Sequence, residues 1–428
     1  MSNHRGYKGK SLEFLQKNNL RVGDMVRIMT DSSYSGILMP RYEYSDDSHL
    51  VLKLKSGYNI GLEIDKIRKI EIESSGSEKK ENIPQPYTDP KLPKLLLIST
   101  GGTIASKIDY RTGAVTPALT AAELNATVPE LAKIANIDTE VLFSEYSENL
   151  MPEHWKKIAE KINSYVKSEY RGIIVAHGTD TMQYTAAAIS FALAGIPIPV
   201  ALVGSQRSSD RPSSDAALNL ISAARFLVEC NAGGIFVVMH NSTNDDEVAC
   251  HWGTRVRKNH TSKRDAFQTV GGQPAFIVKK ESIERNPQFN YVKKEYTPKI
   301  NFDTHVALMK YYPGLDPKII DYIVSQGYKA IVFEGTGLGH IGKITYDSVA
   351  KAKKKGLFMG MTSQCIDGMV RMTVYESGRD LLNLGIIPLA NMVPETALVK
   401  TMWALGNSKN IEEMEELMKE NIALEFSD

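Results

Sequence analysis

Cysteine is scarce. Cys230, Cys250 and Cys365 are the three in 428 residues, far apart and in no Cys-x-x-Cys arrangement. That argues against a disulfide framework and points to a reducing compartment, so a cytoplasmic protein is expected. Long apolar runs are lacking too: no window approaches about 18 apolar residues, and Met1-Ser-Asn-His-Arg-Gly-Tyr-Lys has no h-region, so neither a membrane span nor a secretory leader is expected. A charge imbalance is also missing, with 51 basic against 50 acidic residues. Bulk attraction to nucleic acid or a membrane surface is therefore not an argument here. No repeat with a period of about 20 to 50 residues is visible. His240, Asp245, Asp246, Cys250, His251 and His260 are metal-ligand residue types at no recognised zinc spacing, so no metal is expected.

What is present falls into units. Residues 1–73 hold a short amphipathic segment (Ser11 to Asn19) and then short alternating runs such as Val22 to Ile28, Tyr34 to Met39, His49 to Lys55 and Asn59 to Ile64, punctuated by Gly, Asp and Ser. This pattern predicts a small all-β barrel, an adaptor or a plain folding appendage. Residues 74–93 are charged and Pro-rich and read as a linker. Residues 94–285 alternate buried-strand candidates (Leu95 to Ile98, Gly172 to Ala176, Pro199 to Val203, Gly234 to Met239) with helical patterns. The clearest helix is Pro152 to Val166, where Trp155, Ile158, Ile162 and Tyr165 recur at three- and four-residue steps. After a linker at 286–303, residues 304–428 alternate again. The expected fold is α/β, two doubly wound parallel-sheet domains behind the barrel. The glutamates between Asn410 and Leu424 read as a solvated helix face.

Polar residues gather where strands end. Leu95 to Ile98 runs into Ser99-Thr100-Gly101-Gly102-Thr103, and Ile173 to Ala176 into His177-Gly178-Thr179-Asp180-Thr181; a third end carries Gly204-Ser205-Gln206-Arg207. In open α/β sheets such ends face a common crevice. Taken alone, Thr103 is equally a helix cap or a nucleophile. A threonine hydroxyl needs a base, and a partly buried lysine held by a carboxylate is one supplier. Lys258 offers itself, but from spacing alone it stands no better than Lys263.

Leu97 to Ser106 and Val175 to Met182 resemble the two signature motifs of the L-asparaginase/glutaminase superfamily. Val203-Gly-Ser-Gln-Arg, Ser214 to Leu220, Arg257-Lys-Asn-His-Thr and Pro394-Glu-Thr-Ala-Leu-Val-Lys are similar too, in matching order from about Leu95 to Leu424. The resemblance implies Thr103 as nucleophile, with Thr179 relaying a proton, Lys258 activating it, and Asp180 also holding the substrate's α-ammonium. It implies substrate contacts at Ser147, Glu148, Gly102 and Gly178, although Glu148 and the spacing before Met151 depart from the family pattern. Tyr110 is the tyrosine available for a mobile lid, closer to Thr103 than is usual. His177 is expected to pack or orient rather than move protons. The stretch of about ninety residues before the first motif makes the layout similar to the D subunits of archaeal glutamyl-tRNA(Gln) amidotransferases. That implies hydrolysis of glutamine and passage of ammonia to a partner, the E subunit, within a heterotetramer. It further implies a homodimer core, tRNA held mainly by the partner, ATP and Mg²⁺ used there, and no cofactor in this chain. A free-standing asparaginase or glutaminase with an accessory domain is the alternative. A phosphate-binding scaffold is a third reading, against which the Gly-rich stretch lacks both Gly-x-Gly-x-x-Gly and Gly-x-x-x-x-Gly-Lys-Ser/Thr.

Overall fold

The computed structural model describes residues 4, 6–41, 46–54, 59–74, 89–102, 104, 106–109, 114–117, 124, 128–207, 214–289, 291 and 293–426. The amino-terminal unit consists of helix α1 (Gly9–Lys17) and strands β1 (Met25–Met29), β2 (Ser33–Leu38), β3 (His49–Leu54), β4 (Asn59–Glu63) and β5 (Lys69–Ser74). All its ladders are antiparallel, in the order β4-β3-β2-β1-β5. Alternation along the strands brings Val26, Ile28, Leu50 and Leu52 into one buried cluster, and Leu15 of α1 joins it. The unit is therefore not all-β: the amphipathic segment folds as a helix because Leu15 needs cover from water. Among the described residues no ladder joins the edge strands β4 and β5.

The following region contains β6 (Lys94–Ser99), the hairpin β7 (Ser106–Asp109) and β8 (Ala114–Pro117), β9 (Asn136–Val141), β10 (Gly172–Ala176), β11 (Pro199–Val203), β12 (Gly234–His240), β13 (Glu247–Trp252), β14 (Val256–Lys258), β15 (Phe267–Thr269), β16 (Phe276–Lys279) and β17 (Ile283–Arg285). Eight of these strands form one sheet in the order β17-β16-β13-β12-β11-β10-β6-β9. Helices α2 (Pro152–Tyr165), α3 (Met182–Ala192) and α4 (Ala216–Glu229) cover it on both faces. Leu95 and Leu97 pack with Leu220, Ala223 and Leu227 of α4. Leu96 and Ile98 pack with Ile158 and Ile162 of α2 and Ala186 and Ile189 of α3. With both faces covered, each such Leu or Ile contributes about 1.5–3 kcal/mol, which makes the strand a rigid support for whatever stands at its end.

The reading of a wholly parallel sheet requires correction. Strands β6, β9, β10, β11 and β12 are parallel, but β13, β16 and β17 extend the sheet antiparallel. Only Asn241 to Asp246 lie between β12 and β13, and a parallel crossover needs a dozen residues or more, so the chain turns straight back.

The carboxy-terminal region forms a parallel sheet of β18 (Val306–Lys310), β19 (Ala330–Gly335), β20 (Phe358–Ser363) and β21 (Ile387–Pro388), in chain order. Helices α5 (Lys318–Ser325), α6 (Tyr346–Lys354) and α7 (Glu376–Asn383) cover one face through Ile320, Val349 and Leu381. The other face is covered by α8 (Pro394–Asn407), with α9 (Ile411–Lys419) beside it. Ala397 and Trp403 of α8 share a buried cluster with Trp155 of α2 and Ala187 and Phe191 of α3, so the two α/β regions meet through a common apolar core. Among the described residues no helix is long and apolar enough to cross a membrane.

Candidate active site

Within the parallel part of the large sheet the spatial order is β9-β6-β10-β11-β12, the second strand in sequence lying outside the first. The winding direction reverses between β6 and β10. Such a reversal opens a crevice beyond the carboxyl ends of the two strands, because their crossovers leave to opposite faces. The register pairs Ser99 with Ala176, so both strands end at the same level. Thr100-Gly101-Gly102 and His177-Gly178-Thr179-Asp180 therefore emerge side by side. The approach is close: a Cβ on Gly102 would stand 2.7 Å from the Gly178 nitrogen, and φ at Gly102 is +80°. Only glycine meets both demands. Thr103 follows directly but lies outside the described residues, as does Tyr110. Thr100 is already committed, its Oγ1 donating to the Ala176 carbonyl at 2.8 Å.

Lys258 reaches the crevice from β14, which pairs with β15 so that Lys258 stands opposite Phe267. Its Nζ donates to Thr179 Oγ1 at 2.8 Å and to Asp180 Oδ1 at 2.7 Å. The Lys258 side chain is 8% exposed while that of Asp180 is 69% exposed. A lysine nitrogen held between a hydroxyl and a carboxylate at the mouth of a crevice can, as the neutral amine, take up a proton passed through that hydroxyl. Lys263, its equal by spacing, is exposed on the turn that follows. Ser147 and Glu148 open a short 3-10 turn (Ser147–Asn149). Ser147 is buried; its carbonyl accepts from Thr181 Oγ1 at 2.7 Å, and a Cβ on Gly178 would stand 2.8 Å from its own Cβ. Glu148 is exposed on the same turn. Five of the expected residues, Gly102, Gly178, Thr179, Asp180 and Lys258, are thus brought together, with Ser147 against them.

His177 sits behind the crevice, fully buried. Its Nδ1 lies 2.6 Å from the Gly178 carbonyl and its Nε2 2.9 Å from Thr185 Oγ1. A carbonyl only accepts, so Nδ1 carries the proton and Nε2 accepts from the hydroxyl. Burial pushes its pKa down to about 4, leaving a neutral ring that ties the loop to α3. The third strand end is organised by buried Asp215, whose carboxylate accepts from the backbone N–H of Gln206 and of Arg207, each at 2.9 Å. His240 is held between Asn219 Oδ1 at 2.6 Å and Asp245 Oδ1 at 3.3 Å. Among the described residues no group of three or more His, Cys, Asp or Glu could hold a metal ion.

Family models match three stretches of the chain: "Asparaginase, N-terminal" over residues 94–290, "Glutaminase/Asparaginase C-terminal domain" over 305–418, and "GatD N-terminal domain" over 20–72. The D subunit of the glutamyl-tRNA(Gln) amidotransferase of Methanopyrus kandleri is 46% identical over 98% of this chain and 94% of its own length. That of Pyrococcus abyssi is 46% identical over 97% of both. The chain belongs to the family of glutamyl-tRNA(Gln) amidotransferase D subunits. Outside this D-subunit family, the thermostable L-asparaginase from Thermococcus kodakarensis superposes with a TM-score of 0.70 at 32% identity, covering 78% of this chain and 99% of that one.

Sequence reasoning missed the groups that hold β14 from behind. Arg257 Nε meets Glu395 Oε1 of α8 at 3.0 Å. Arg255 donates to the carbonyls of Asn391 at 2.7 Å and Glu425 at 2.9 Å. Fully buried Lys400 pairs with buried Glu425 at 2.5 Å, and burial pushes its pKa down despite that partner. A signal for Lys400 was available: Ala397, Trp403 and Ala404, its neighbours at helical spacing, are apolar, and a lysine in such a stripe must find a carboxylate.

Proposed function

We propose that this chain is the glutamine-hydrolysing subunit of a tRNA-dependent amidotransferase, a cytoplasmic protein whose ammonia goes to a partner, the E subunit, that converts Glu-tRNA(Gln) to Gln-tRNA(Gln). The observation that carries this reading is the linked set Asp180, Lys258 and Thr179 at the switch point, one strand away from the Thr-Gly-Gly-Thr end. Thr103 attacks the side-chain amide carbon of glutamine. Its proton leaves through Thr179 towards Lys258, while backbone N–H groups of the Gly-rich ends hold the oxyanion. The C–N bond breaks and the nitrogen departs as ammonia with a proton returned along the same path. Water then cleaves the Thr103 ester and releases glutamate. Asp180 holds the substrate's α-ammonium, and Ser147 and Glu148 meet its α-carboxylate and α-ammonium. Tyr110 is the lid candidate.

ATP and Mg²⁺ act at the partner, which also grips the tRNA, and two copies of this chain form the core of the heterotetramer. Residues 1–73 are read as a small accessory unit, an adaptor or a plain folding appendage, joined by a linker (74–93) to α/β domains at 94–285 and 304–428. One observation favours a free-standing amidohydrolase instead: the likeness to the Thermococcus kodakarensis L-asparaginase spans nearly all of that enzyme. The match of residues 20–72 to a D-subunit domain favours the amidotransferase. Replacement Thr103→Val tests the chemistry, and amide hydrolysis at the wild-type rate ends the catalytic reading. A pull-down from native cell extract, assayed for glutamine hydrolysis with and without charged tRNA, separates the two enzymes. A large partner with tRNA-stimulated turnover is expected; full activity with no such partner favours the free-standing one.

A further inference from the structure

Four of the groups gathered at the crevice, Gly102, Gly178, Thr179 and Asp180, stand on the first α/β region at the ends of β6 and β10. Lys258 arrives on a strand of three residues that lies outside the large sheet and pairs only with the equally short β15 among the described ladders. So short a ribbon does not fix a terminal ammonium by itself. Val256 packs into the apolar cluster of the first α/β region, while the polar contacts behind the strand are with the carboxy-terminal region. Side chains alternate along a strand, so Arg257 points away from Lys258 and the crevice. Arg257 meets Glu395, the second residue of α8, at 3.0 Å. Just upstream, the Thr254 carbonyl accepts from Thr396 Oγ1 at 2.8 Å, so backbone and side chain grip the same helix start.

Glu395 is 7% exposed, and its Oε2 has no hydrogen-bond partner among the described residues. Burial and the nearby Glu334 of β19 push its pKa up, while Arg257 holds it down; Tyr184 of α3 also faces it, its own hydroxyl pushed up to about 12 by burial and by these carboxylates. A carboxylate kept in so dry a place beside a second one stands in need of its guanidinium, and the pair resists separation.

We propose that Arg257 and Glu395 are positioning residues: their ion pair locks β14 onto α8 in the pose that puts Lys258 Nζ within reach of both Thr179 and Asp180. The carboxy-terminal region thereby completes a site whose other described groups come from the amino-terminal sheet. This rests on the function proposed above, in which Lys258 serves the chemistry.

The test is Glu395→Gln, which keeps shape and removes charge, compared with the double variant Arg257→Met/Glu395→Met. Loss of alignment without loss of substrate contacts should lower kcat for glutamine hydrolysis about tenfold and leave KM within about twofold. Lys258, freed from its two acceptors, should acetylate severalfold faster with acetic anhydride, read by mass spectrometry. The double variant replaces buried Glu395 and its half-buried partner by apolar groups, and should regain the wild-type melting temperature without regaining kcat. Wild-type kcat and labelling in Glu395→Gln overturn the proposal. So does a double variant whose kcat and labelling return together with its melting temperature, and this arm decides if the single variant does not fold. A wild-type chain that hydrolyses no amide even with its partner and charged tRNA present refutes the proposed function, while the Lys258 labelling still judges the lock.

Discussion

The two parallel sheets of this chain end in similar words and do different things. Strands β6 and β10 run from four or five apolar residues into Gly and Thr, and β19 does the same with Ala330 to Phe333, Gly335 and Thr336. In the second sheet the strands follow one another in chain order with no reversal, so no crevice opens between neighbours. Its strand-end polar groups close on local backbone: Thr362 Oγ1 donates to the Phe333 carbonyl, Ser363 Oγ to that of Gly337, and Gln364 Nε2 to those of Glu334 and Tyr311. At the first sheet the reversal separates the crossovers, and Thr179 and Asp180 meet a lysine from another strand instead. A Gly-Thr strand end thus becomes a candidate site only where topology leaves room beside it.

The largest effect expected from this contrast is at Lys258. Replacement Lys258→Met keeps length and removes the group that receives the proton, so glutamine hydrolysis at saturating substrate should fall about 10³-fold. Initial rates of ammonia release measure it. A fall of less than about tenfold would place the chemistry elsewhere and erase the distinction between the two sheets.

Much of this arrangement is legible in the sequence, and the limits have physical causes. Buried parallel strands announce themselves as unbroken apolar runs, as Gly172 to Ala176 and Pro199 to Val203 do, because both faces are covered. The helix from Pro152 is equally plain, with Pro at its first position and its apolar period. Glu247 to Trp252 is harder. Its His251 and Cys250 look like metal-ligand types, yet Cys250 and Trp252 pack in one core while His251 bonds Thr269 Oγ1 at 2.8 Å. Nothing in spacing distinguishes Lys258 from Lys263, since the choice depends on how β14 turns, and that is settled by contacts to Glu395 and Asn391 more than 130 residues away. The same holds for Thr100, whose hydroxyl is taken by Ala176 on a strand reached only after 76 residues.

A smaller effect should come from the backing of the crevice. His177 is held at about 4 against 6.5 for an ordinary histidine, and burial is the cause. Between those values the unfolded chain binds a proton that the folded chain refuses, so stability falls as pH drops from 6.5 towards 4, by about 1.4 kcal/mol per unit. His251, pushed down to about 3 by burial, acts with the same sign. Urea unfolding midpoints across this range should fall steadily. In His177→Gln, which can still donate to Gly178 and accept from Thr185, the slope should drop by roughly half. An unchanged slope would show that His177 is protonated in the folded protein, which would reopen a proton-transfer role for it.

The smallest effect bears most directly on which threonine matters. Thr100 and Thr362 are both buried, and each donates at 2.8 Å to the carbonyl of a neighbouring strand. Replacing either by valine removes one buried hydrogen bond and should cost about 1 kcal/mol, seen as a melting shift of a few degrees. For Thr362→Val turnover should stay at the wild-type value, because its sheet has no crevice. Thr100→Val is the more demanding case, since it stands in the Thr-Gly-Gly-Thr end itself. If its hydroxyl only ties β6 to β10, its kinetic constants will match those of Thr362→Val within about twofold, for the same lost hydrogen bond. If turnover collapses with Thr100 while Thr103→Val stays active, the roles of the two threonines are exchanged, and the rule that a committed hydroxyl is a structural one fails at this crevice.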